Sequence, residues 1–118
     1  MSSYSVSDEG ELIIRKRVKR LNVPDDLIGK FKSVIIPKSV KIIEEKCFNT
    51  SMAKPATKSQ AWYNHELKSV TFEPGSQLTD IKDYAFLGCR VLESVTFAKD
   101  SRLKYIGTSC FEECHNLR

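Results

Sequence analysis

Two stretches of this chain, "LKSVTFEPGSQLTDIKDYAFLGCRV" from Leu67 and "LESVTFAKDSRLKYIGTSCFEECHN" from Leu92, follow one another directly and align without a gap. Leu67/Leu92, Val70/Val95, Phe72/Phe97, Leu78/Leu103, Ile81/Ile106, Phe86/Phe111 and Cys89/Cys114 share columns, and Leu117 opens another copy. Upstream, "FKSVIIPKSVKIIEEKCF" fills the same columns with Phe31, Val34, Ile36, Val40, Ile43 and Phe48, with a slightly shorter turn. Nearly three repeats result. No single unit of this size can bury its own apolar face, so the units must stack, each column becoming a ladder through the core.

Each unit has two halves. The first, L-x-x-V-x-F, ends in apolar residues two apart and rich in β-branched and aromatic types, which predicts a short strand. The second, L-x-x-I-x-x-x-x-F-x-x-C, spaces its apolar residues more like a helical or 3₁₀ segment. "EPGSQ" and "AKDSR" between them carry turn residues. A strand plus a short turn or helix at this period is a leucine-rich repeat pattern, with strands stacked in parallel. The expected fold is an α/β leucine-rich repeat solenoid of about three repeats, or a nearly all-β one if the second halves are irregular.

The residues from Phe31 to Arg118 resemble the BspA-like leucine-rich repeats, whose consensus runs approximately L-x-S-V/I-x-I-P-x-S-V-x-x-I-x-x-x-A/C-F-x-x-C-x-x-L. Ile36-Pro37 keeps the strand-end proline, whereas Phe72 and Phe97 are followed by longer turns; the first copy has Ser51 at the place of the distal Cys and runs into an insertion. The resemblance implies a surface antigen or adhesin, many other proteins with this repeat being intracellular. The organisation expected is residues 1–30 as a basic segment and atypical cap, and 31–118 as repeats with an insertion at 49–66.

Composition sets the broad class. A chain of 118 residues, 41% hydrophobic and 29% charged, is enough for one globular domain. "MSSYSVSDEGELII" lacks the basic start and apolar run of a secretory signal, and no stretch approaches a membrane span. The default expectation is therefore a cytoplasmic chain with reduced thiols and no membrane insertion, with cell surface and nucleus as alternatives.

The reactive residue types are few. Cys89 and Cys114 share a column; Cys47 and Cys110 share another, where the middle copy has Ala85. Exchange of Cys for Ala indicates a need for small apolar volume, so the cysteines are expected in the core. Zinc held by Cys110, Cys114 and His115 would lack a second paired cluster, and a Cys89–Cys114 disulfide would need an oxidising compartment. His65 and His115 each stand two residues before a repeat-opening Leu, a loop position. No phosphate-cradling, metalloprotease or nucleophile-elbow motif occurs, so no enzyme activity and no cofactor is expected.

Binding is the better expectation, with a protein as partner. Between the ladder positions of L-x-x-V-x-F lie Lys32, Ser33 and Ile35, then Lys68, Ser69 and Thr71, then Glu93, Ser94 and Thr96, which predicts a polar strip on the outer strand face. The stretch from Phe48 to Leu67 is far longer than its counterpart from Phe86 to Leu92, and this insertion holds Trp62 and Tyr63, aromatics suited to a partner contact. It also holds the glycosylation sequon Asn49-Thr50-Ser51. "RKRVKR" places Arg15, Lys16, Arg17, Lys19 and Arg20 together. That run suits an exposed first edge strand, which its charge would protect from aggregation, or a nuclear address; the lack of interleaved aromatics argues against nucleic acid. The chain stops just after a repeat-opening Leu, which makes self-association through the last repeat, or a longer parent chain, the remaining expectation.

Overall fold

A computed structural model describes residues 3–24, 26–49, 64 and 66–117. Among the described residues nine short strands form: β1 (Tyr4–Val6), β2 (Glu11–Ile14), β3 (Arg20–Leu21), β4 (Ser33–Ile36), β5 (Ile42–Ile43), β6 (Ser69–Phe72), β7 (Asp80–Ile81), β8 (Ser94–Thr96) and β9 (Tyr105–Ile106). They make a five-stranded sheet, β1-β2-β4-β6-β8, and a four-stranded sheet, β3-β5-β7-β9. Every pairing is parallel except β1 with β2. The chain climbs from the first sheet through a corner turn to the second and back, one coil at a time.

Register follows the sequence columns. Ser33, Ser69 and Ser94 are in line, as are Val34, Val70 and Val95 on one side and Ile43, Ile81 and Ile106 on the other. The inward column is sealed by aromatic stacking: Phe48 and Phe86 lie 4.8 Å apart and 12° from parallel, and Phe86 and Phe111 lie 5.1 Å apart and 6° from parallel. Phe72 stacks on Phe97 in the same way, at 5.1 Å. Phe48 and Phe86 are fully buried, as are Leu67, Leu92, Ile43 and Ile81.

The second halves depart from the helical expectation. Among the described residues they form two-residue strands and turns, and no helix. Lys46 (φ 59°), Tyr84 (63°) and Ser109 (53°) occupy one column in the left-handed region, and Gly88 (76°) and Glu113 (66°) occupy another. A left-handed residue every few positions forbids a continuing α-helix. Backbone donors go across coils instead: Phe48 N–H to Ala85 O at 2.8 Å, Phe86 N–H to Cys110 O at 3.0 Å, and Tyr84 N–H to Thr108 O at 3.0 Å. This third side is as regular as a strand ladder while carrying tight turns.

The N-terminal segment forms a coil of its own. Glu11 and Leu12 pair with Ser33 and Val34, and Arg20 and Leu21 pair with Ile42 and Ile43, so one constant offset serves both sheets. Leu12, Ile14 and Leu21 enter the common core. Only Arg20 of the basic run lies on an edge strand, as the first residue of β3 in the smaller sheet; the rest forms the corner turn between β2 and β3, and the outer edge of the larger sheet is covered by antiparallel β1. That arrangement shields β2 from pairing with a foreign strand.

The distal-Cys column is continued by Asn64 rather than Ser51. Asn64 bridges Cys89 in parallel, so the extra residues fall between Asn49 and Asn64. The side chain replaces the thiol with a set of hydrogen bonds. Its Oδ1 accepts from the N–H of Glu66 (3.0 Å) and Leu67 (3.2 Å), and its Nδ2 donates to Phe48 O (2.9 Å). The next coil thereby starts in register after the insertion.

The last described coil is less covered. Phe97 is 37% exposed and Ile106 49%, whereas Phe72 and Ile81 one coil earlier are 4% and 0%. Gly107 is fixed by that coil's close approach: an added Cβ would come within 2.7 Å of the Asp83 Cα.

Candidate binding surface

The nine strand-face residues come together as three rungs. Lys32, Lys68 and Glu93 are exposed just before their strands; Ser33 and Ser69 are half-buried, while Ser94 is exposed; Ile35, Thr71 and Thr96 are exposed. Pairing of Ile35 with Thr71, and of Thr71 with Thr96, makes a continuous row. The alternation that sends Val34 and Ile36 inward necessarily leaves Ile35 outward. A strip of hydroxyls flanked by cations and one carboxylate can form directional hydrogen bonds to a partner surface.

One component was hidden in the sequence. Ile13 on β2 stands beside this face at 45% exposure, next to Ile35 at 49%. With Glu11, Lys16, Pro37 and Glu73 they line a shallow depression between the first two coils. "ELII" reads as an apolar flank; only its parallel pairing to β4 brings Ile13 to the surface that Ile35 shares. The likeness of "ELII" to "SVII", with its apolar residues in the same places, is the signal that points to it.

Trp62 and Tyr63 lie outside the described residues, as does His65. The sequon asparagine is described and is 1% exposed, with Nδ2 donating to Leu87 O at 2.6 Å. In the folded chain this nitrogen is not accessible for attachment of a sugar. Of the basic run, Lys16, Arg17 and Lys19 are exposed in the corner turn, Arg15 stands at its start, and Arg20 pairs with Glu44 at 2.8 Å.

The cysteines are packed as core. Cys47, Cys89 and Cys110 are buried and Cys114 is half-buried, all as free thiols. Burial pushes the Cys47 thiol up to about 12 and the Cys110 thiol to about 11. A hydrogen bond to Cys114, together with burial, pushes Cys89 well above the ordinary value; accepting that bond holds Cys114 below it. Repetition extends to the acceptors, since Cys89 Sγ reaches Phe48 O at 3.8 Å and Cys114 Sγ reaches Phe86 O at 3.1 Å. His115 contacts Glu113 at 2.9 Å, and Cys110, Cys114 and His115 do not converge as a metal-holding group among the described residues. Nor is any described helix long and apolar enough to cross a membrane.

The family model for the BspA type leucine-rich repeat region, in six copies, matches residues 55–118. No curated protein and no solved structure matches the chain.

Proposed function

Because this chain belongs to the BspA-type leucine-rich repeat family, we propose that it is a short solenoid acting as a non-enzymatic protein-recognition module through the outer face of its five-stranded sheet. The observation that carries the reading is the exposed Ile13 and Ile35 pair, which continues into the Thr71 and Thr96 row and is flanked by Lys32, Lys68 and Glu93. A small apolar centre with a polar rim is the arrangement that recurs in protein interfaces. A surface antigen or adhesin role is the finer form of the proposal, supported by the family resemblance.

The test is affinity capture from the native cell, comparing the wild-type chain with Ile35→Glu and with a Lys68→Ala/Thr71→Ala/Glu93→Ala variant. A partner whose yield falls about tenfold or more with either, at unchanged circular dichroism, supports the strand face. A partner retained equally by both variants places recognition elsewhere.

A second reading is favoured by the exposure of Phe97, Tyr105 and Ile106 in the last coil, at 37%, 47% and 49%. These rungs offer a stacking surface to another copy of the chain. Light scattering at tens of micromolar protein, about the range where weak interfaces populate, is expected to show a dimer. A monomer there removes this reading and leaves the first intact.

A further inference from the structure

The corner between the two sheets aligns cations that the sequence scatters. Lys41 N–H bonds to Lys19 O at 2.7 Å, Thr79 N–H to Lys41 O at 2.9 Å, and Lys104 N–H to Thr79 O at 2.8 Å. Lys19, Lys41, Thr79 and Lys104 are therefore one column, with steps of about 4.8 Å between neighbours. Alongside it run Lys16, Arg17 and Lys38, and all six of these cations are exposed. Ser39 and Gln77 tie this second row together, through Ser39 Oγ to Val18 O at 2.8 Å and Gln77 N–H to Lys38 O at 3.1 Å.

Glu73 and Asp80 stand on these rows and Glu44 beside them, each already bonded to a neighbour. Glu73 accepts from the Lys38 N–H at 2.9 Å, Asp80 from Thr79 Oγ at 2.6 Å, and Glu44 holds Arg20 at 2.8 Å. Among the described residues no ion pair occupies Lys19, Lys41 or Lys104. Like charges held this close by a rigid backbone repel one another, and a polyanion relieves that repulsion while releasing its own counterions.

We propose that this ridge binds a linear polyanion of the sulfated polysaccharide class, laid across the coils with its sulfates over the lysine column and its hydroxyls toward Ser39, Gln77 and Thr79. Single-stranded nucleic acid fits less well, because such binding rests on aromatic platforms and Tyr105 is the only aromatic on the described strands of the smaller sheet. Duplex readout needs a helix or ribbon that enters a groove, whereas these are tight turns. The ridge adjoins the strand face at Lys16, while the column of Lys19, Lys41 and Lys104 lies off that face and its occupancy does not depend on a protein partner.

The test uses the full chain and a fluorescent heparin-type oligosaccharide, with anisotropy read at about 50 and 200 mM salt. Saturable binding that weakens with salt is expected. The Lys19→Gln/Lys41→Gln/Lys104→Gln variant should lose about tenfold or more in affinity and show a shallower salt dependence. A Lys30→Gln/Lys46→Gln/Lys82→Gln variant carries the same charge change off the column and should lose much less. Equal losses in the two variants, absence of binding by the wild-type chain, or tighter binding of a single-stranded oligonucleotide of matched charge would each overturn the proposal.

Discussion

Cys47, Ala85 and Cys110 fill one column at 1%, 0% and 3% exposure. The exchange of Cys for Ala was enough to read that site as small and apolar from the sequence, because volume is what a stacked column holds constant. Burial gives it a pH signature. Cys47 is raised in the fold to about 12, above its ordinary value of 9.0, so the unfolded chain loses this proton first. Its contribution is fully present below about pH 9 and falls as pH rises toward 12, by up to about 1.4 kcal/mol per pH unit. Urea midpoints measured at about pH 8 and about pH 10.5, on either side of the onset of that loss, should show the drop, and Cys47→Ala should make it smaller, the raised Cys89 and Cys110 thiols supplying the remainder. Asn64 was not legible in the same way, since the insertion moves it away from the motif it completes. Stepping back one repeat period from Cys89, by the interval that separates Cys89 from Cys114, finds it. Asn64→Ala strands the Leu67 N–H in the interior and leaves the Phe48 carbonyl only the long contact from Cys89 Sγ, at a cost of about 2–3 kcal/mol in chemical denaturation.

At the scale of the element, the first halves were readable and the second halves were not. Alternation in "SVII" and "SVTF" has one structural solution, a strand with one buried face. The wider spacing in L-x-x-I-x-x-x-x-F-x-x-C fits both a helical turn and a strand followed by tight turns. What decides is the left-handed backbone at Lys46, Tyr84 and Ser109, and none of these residue types announces it. Inter-coil bonding and phenylalanine stacking hold those turns in place. Phe86 is sandwiched between Phe48 and Phe111, so Phe86→Ala should cost about 3–5 kcal/mol. Phe111 is half-buried and its ring stack is with Phe86, so Phe111→Ala should cost roughly half as much. Equilibrium unfolding of the two variants side by side tests this; equal costs would show that the stack is not what limits stability.

In the whole molecule, strand order followed from the repeat because in-register columns admit one parallel stacking. The coil from Glu11 to Leu21 escaped that logic: it shares neither the period of the later repeats nor the phenylalanine column, and its place shows in the pairing with β4 and β5. The lysine column escaped for a related reason: its members stand at unequal intervals along the chain, the insertion and the differing turn lengths having spread them apart. The two asparagines that bracket the insertion have a consequence beyond local bonding. Asn49 donates to Leu87 O and Asn64 bridges Cys89, so both flanks of residues 50–63 are fastened to the following coil. Lengthening a connection whose ends are already fixed costs only about 0.6 kcal/mol per doubling. The position is thus a socket: epitope tags, reporter peptides or whole small domains can be spliced between the two fastened ends while the coils on either side keep their register.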